Sequence, residues 1–124
     1  MDALKSFIDI SKQEFLNYAE SIDMESVKKA AEIIIEAKNN GNRLHITGIG
    51  KPAHIAGYAA SLISSTGTPA YFLHGTEAVH GSCGQLVEGD IVICISNSGE
   101  TAELKATAKP KRYNILFSSI LFKF

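Results

Sequence analysis

The run Ser96-Asn97-Ser98-Gly99-Glu100-Thr101 gathers three hydroxyls, a side-chain amide and a glycine into six consecutive residues. Such a run cannot continue a strand, but its backbone N–H groups can wrap an anion, and its hydroxyls donate hydrogen bonds without adding charge. A phosphate held in that way can leave again. Thr101 then opens a helical segment over residues 102–109, and a helix N-terminus adds unpaired N–H donors and partial positive charge. The same residue types also suit a plain capping turn, so the motif alone leaves both readings open. A second candidate loop, Gly48-Ile49-Gly50-Lys51-Pro52, places a cation beside two glycines that permit close approach of a ligand.

The elements that must position these loops can be read from the flanking residues. Ile91-Val92-Ile93-Cys94-Ile95 is an unbroken apolar run and predicts a strand buried on both faces. Residues 43–47 predict a short strand, and Pro52 followed by the Ala-rich residues 53–63 predicts a helix with proline at its first position. The chain thus holds two strand–loop–helix units, and in an open parallel sheet such loops gather at the carboxyl ends of the strands, where ligands bind. Upstream, Leu4, Ile8, Phe15, Tyr18 and Ile22 alternate by fours and threes, with Ser11 in the gap, as one stripe on a first helix. That stripe suits a partner subunit or an intrachain core equally. Asp23 is placed to cap a second helix with inner face Val27, Ala31 and Ile34, which Asn39-Asn40-Gly41-Asn42 stops. Thr66-Gly67-Thr68-Pro69 turns into a strand over 70–73. Residues 74–81 form an irregular or short helical segment, 87–90 a turn, and Ile115 starts a fourth strand. Strands alternating with helices imply a parallel α/β sheet.

Bulk properties exclude several classes. A chain of 124 residues supports one domain, divided here into a helical segment, 1–42, and a sheet-bearing portion, 43–124. A net charge of −1 gives no electrostatic footprint for nucleic acid or an anionic membrane. No apolar run approaches a membrane span, and Met1-Asp2 opens an amphipathic pattern and not a signal peptide. Two cysteines, Cys83 and Cys94, make no disulfide framework, so a reduced, cytoplasmic setting is expected, with Cys94 acting as a small hydrophobe.

Other residues have competing readings. His45 lies in a strand and reads as a satisfied core histidine, while His54 reads as helix packing or support behind the site. His74, Glu77 and His80 stand three apart, but on a helix that spacing spreads around the cylinder, so no metal is expected. Gly48-x-Gly50-x-x-Ala53 satisfies a dinucleotide fingerprint, with Glu77 at a tolerable distance, yet leaves the Ser96–Thr101 run unexplained.

Taken with Ser65-Thr66-Gly67-Thr68-Pro69, His74, Glu77-Ala78 and His80-Gly81, the two loops fall in an order and spacing that resembles the sugar isomerase (SIS) domain of the arabinose-5-phosphate isomerase (KpsF/GutQ) family. The resemblance covers residues 43–113. It implies a three-layer α/β/α sandwich with a parallel, flavodoxin-like sheet, a phosphorylated sugar as ligand, no cofactor, and a homo-oligomer with sites near subunit boundaries. Position by position, it implies that Lys51, His80 and Glu103 are catalytic. Gly48, Gly50, Ser96, Asn97, Ser98, Gly99 and Thr101 would hold substrate and phosphate.

Aldose–ketose isomerisation moves a proton between adjacent carbons through an enediol, so it needs a base, an acid and positive charge near the developing oxyanion. Lys51 would supply that charge, Glu103 would act as base or acid, and His80 would assist ring opening. Pro52 stands where the family carries a serine, Gly75-Thr76 where it carries Pro-Gly, and Ser82 where it carries aspartate. A further glutamate and histidine of the family have no match in these residues, and the last nine look unlike it. The sheet is therefore expected to be incomplete at its C-terminal side, and the 124-residue chain to bind weakly and turn over slowly or not at all. The alternative is a phosphosugar-binding or regulatory module without catalysis.

Overall fold

The computed structural model describes residues 2–96 and 114–118. The chain falls into two compact units, residues 1–31 and 32–124. In the first, α1 (Ala3–Glu20) starts at Asp2, whose carboxylate accepts the Leu4 N–H at 3.1 Å. The predicted stripe is present, with Leu4, Ile8 and Phe15 exposed along it. Asp23 opens α2 (Met24–Asn39) as expected, accepting the Glu25 and Ser26 N–H groups at 3.1 and 3.3 Å and the Ser26 hydroxyl at 2.6 Å. The Ser26 hydroxyl and N–H bonds hold its carboxyl below the usual range.

The second unit holds the rest of α2 and the sheet. The expected inner face of α2 holds at Ile34 but not at Val27 and Ala31, which are exposed; Ile33, Ile34 and Ala37 are the residues that join the core. Those three lie at i, i+1 and i+4, a face rotated from the predicted one by most of a quarter turn. Gly41, at φ +78°, ends the helix, with the Asn42 N–H returning to the Ala37 carbonyl at 2.9 Å.

Four parallel strands follow: β1 (Leu44–Gly48), β2 (Ala70–His74), β3 (Ile91–Ile95) and β4 (Asn114–Ser118), in the order β2-β1-β3-β4. This is the predicted flavodoxin-like α/β arrangement. Between β1 and β2 runs α3 (Lys51–Ser65); between β2 and β3 come α4 (Gly75–Val79) and a 3-10 turn, Ser82–Gln85. Several boundaries move by one residue. The first strand runs Leu44–Gly48, its start set back because Arg43 is drawn into a side-chain network at its foot. The second extends to His74, the fourth begins at Asn114, and Pro52 takes the second helical position, after Lys51.

One face of the sheet, with Leu44, Ile46, Ile91 and Ile95, packs against Ala37 of α2 and Ala56 and Ala60 of α3. The small alanines let α3 lie close on the strands. The other face carries His45, Thr47, Leu73, Val92 and Cys94, all buried. Both faces of β1 and β3 are therefore covered, which explains why the apolar run at Ile91–Ile95 shows no alternation. Burial pushes the Cys94 thiol up to about 11, with Cys83 nearby adding to it, so Cys94 behaves as the hydrophobe expected.

Candidate active site

The register sets the geometry. Gly48 is the Cα partner of both His74 and Ile95, and Ile95 is the partner of Ser118, so all four strands end level. From β1 the chain moves to β2 on one side of the sheet and then to β3 on the other. The crevice at such a reversal lies between the loops that leave β1 and β3. The loop that leaves β1 is Gly48-Ile49-Gly50-Lys51, and β3 ends beside its start at Ile95, followed by Ser96.

Local packing explains the glycines. A Cβ on Gly48 would stand 2.7 Å from the Pro52 carbonyl carbon and oxygen, so only glycine lets the first turn of α3 fold back over the end of β1. Gly50 has φ 69° and ψ −133°, a combination open essentially to glycine, and it is the N-cap of α3. Gly50 has no side chain to cap this helix, and its carbonyl accepts the Ala53 N–H at 3.0 Å. Lys51, the first helical residue, is exposed, and Ser96 is 7% exposed.

On the β2 side, α4 is bracketed by two histidines. His74 is its N-cap and His80 its C-cap, and both are exposed. Asn97, Ser98, Gly99, Thr101 and Glu103 lie outside the described residues. His54, expected to pack or to support the site, is exposed. Among the described residues no three His, Cys, Asp or Glu side chains meet in a way that would hold a metal ion.

Sequence reasoning missed the strongest polar cluster of the sheet, which lies at the opposite, amino edge. Asp90, read as a turn residue, is fully buried. Its carboxylate accepts the Arg43 N–H at 2.9 Å, the Val87 N–H at 3.1 Å, His45 Nε2–H at 3.1 Å and Arg43 Nη2–H at 3.3 Å. Burial alone would raise its pKa, but the donors from Arg43, Val87 and His45 and the Arg43 charge hold it below the ordinary range. Burial lowers His45 below the usual histidine value, with the Asp90 bond only partly offsetting it. His45 is therefore half of what was expected: Nε2 is paired, whereas Nδ1 and the neighbouring Thr47 Oγ1 have no partner among the described residues. The sequence near Asp90 shows only its local bond to Val87, because Arg43 and His45 stand more than forty residues away in the chain.

A cavity of about 360 Å³ opens at the same amino edge. Three of its polar residues are engaged in bracing: Lys38 donates to the Gly67 carbonyl, Asn42 to the Glu88 carbonyl, and Arg43 to Gln85 and Asp90.

Residues 37–112 match the SIS domain family. The chain belongs to that family. Among its relatives, the arabinose 5-phosphate isomerase KdsD of Francisella tularensis strain SCHU S4 is 48% identical over 84 residues, which is 68% of this chain and 25% of that enzyme. A candidate phosphosugar isomerase involved in capsule formation from Bacteroides fragilis superposes with a TM-score of 0.80 at 30% identity, covering 95% of this chain and 67% of that one. An Escherichia coli CFT073 protein, solved in complex with arabinose 5-phosphate, superposes with a TM-score of 0.67 at 35% identity, covering 94% and 65%. The SIS chain described here spans about a quarter of the length of the curated relatives it matches.

Proposed function

We propose that the chain carries the phosphosugar-binding part of an aldose–ketose sugar-phosphate isomerase, of the type that interconverts arabinose 5-phosphate and ribulose 5-phosphate. The observation that carries this reading is the register Gly48↔Ile95, which sets the start of the Gly48–Lys51 loop beside the end of β3, directly before Ser96, at the reversal of strand order. The 35% identical relative solved with arabinose 5-phosphate supports the ligand class. In this reading Ser96, Asn97, Ser98, Gly99 and Thr101 cradle the phosphate, and Gly48 and Gly50 let the sugar approach the backbone. Lys51 stabilises the developing enediolate, Glu103 transfers the proton between the two carbons, and His80 assists ring opening.

The same reading places the protein in the cytoplasm as a homo-oligomer, with residues 1–42 as a helical segment preceding the SIS portion at 43–124. Among the described residues no helix is long and apolar enough to cross a membrane. The test is a comparison of arabinose 5-phosphate with arabinose by calorimetry on wild type and Ser98→Ala. Loss of one hydroxyl donor to a charged acceptor should weaken the phosphosugar by about 1.5–3 kcal/mol, tenfold or more, and leave the unphosphorylated sugar unchanged. Equal loss for both sugars would remove the phosphate assignment.

A further inference from the structure

The geometry points to His74 as a positioning residue for His80, acting through the backbone of Glu77. The inference rests on the reading of His80 as a site residue. The Glu77 N–H donates to His74 Nδ1 at 3.5 Å, and the Glu77 carbonyl accepts the His80 N–H at 3.0 Å. One peptide-linked residue thus ties the two histidines together. Helix α4 has only five residues, and a helix that short has too few internal bonds to hold itself, so its ends decide whether it forms.

The anchor of this arrangement is rigid. His74 is the last residue of β2 and the Cα partner of Gly48, and its ring meets Phe72 edge-on with centroids 5.9 Å apart. Gly75, the next residue, has no room for a side chain: a Cβ there would stand 2.6 Å from Ile49 Cγ1 and 2.9 Å from the Gly48 carbonyl oxygen. The start of α4 is therefore pressed against the Gly48–Lys51 loop, and the far end delivers His80. Because an N–H donates to Nδ1, that nitrogen holds its lone pair, and a neutral His74 carries its proton on Nε2.

The test uses the uniformly ¹⁵N-labelled 124-residue chain, read by NMR in wild type, His74→Ala and His74→Asn. Asparagine is among the best capping residues and does not titrate, so it separates the cap from the imidazole. Wild type should show His74 as the Nε2–H tautomer. His74→Ala should shift the Glu77 amide and the His80 ring signals and weaken arabinose 5-phosphate roughly fivefold, the size of one lost cap. His74→Asn should restore both.

Unchanged His80 signals in His74→Ala would overturn the inference. So would an asparagine variant that recovers the Glu77 amide but not sugar binding, since the ring itself would then be the group that matters. If wild type binds no arabinose 5-phosphate, the proposed function fails, while the His80 ring signals still decide whether His74 positions it.

Discussion

The two ends of one parallel sheet are built on opposite principles. At the amino edge, polar groups close on one another. Asp90 accepts four hydrogen bonds without exposure to water, and Lys38 and Asn42 brace neighbouring turns. At the carboxyl edge the backbone is held by glycine packing, α3 starts without a side-chain cap, and Lys51 and His80 stand exposed. The first arrangement satisfies donors internally and so holds strand starts in register. The second leaves Lys51 and His80 open to solvent.

The contrast can be broken most severely at Asp90. Asp90→Ala should lower stability by about 2–4 kcal/mol, because His45 and two backbone N–H groups lose a buried acceptor. A urea titration measures it, and the folded fraction should still bind phosphosugar with wild-type affinity. Loss of affinity equal to the loss of stability would show that the two ends are not separable.

Next come the glycines of the open end. Gly48→Ala and Gly50→Ala should each cost about 1–3 kcal/mol, the first through overlap with Pro52 and the second through its backbone angles. Unlike Asp90→Ala, both should also depress phosphosugar binding in the protein that remains folded, as calorimetry would report.

The third effect is on pH dependence. Asp90 has a folded pKa below its unfolded value of about 3.9, so its contribution is present above that pH and is lost as pH falls through the folded value. His45 is also depressed, from about 6.5, so the fold favours its neutral form. That contribution is complete above about 6.5 and declines as pH falls toward the folded value. Both act in the same direction, and the urea midpoint should drop on acidification from neutrality. Asp90→Asn should remove the part of the slope nearest the carboxylate range.

The smallest effect sharpens the comparison from the closed side. Lys38→Ala breaks an exposed bond to the Gly67 carbonyl, and should cost no more than about 0.5–1 kcal/mol with sugar binding unchanged. A larger loss would mean that the amino-edge braces act as a unit with Asp90.

The sequence by itself determined the class of fold and set both candidate loops directly after strands. The apolar run at Ile91–Ile95 has no alternation, which only a strand covered on both faces requires, and the glycine and hydroxyl loops stand directly after strands. Those signals are local: composition, capping types and backbone freedom act within a few residues. Helix ends at Asp23 and Gly41 were legible for the same reason.

Tertiary structure alone decided the rest. A short helical run shows several apolar stripes, and only contact with Ile46 and Ile91 selects the Ile33–Ile34–Ala37 side of α2 over the Val27–Ala31 side. Asp90 reads as a turn residue until Arg43 and His45 arrive from the far side of the chain to offset the cost of its burial. Gly75 carried no local sign of its role either, because its close approach to Gly48 and Ile49 exists only once β2 lies beside β1. Long-range partners and packing phase are properties of the folded sheet, and no window of sequence contains them.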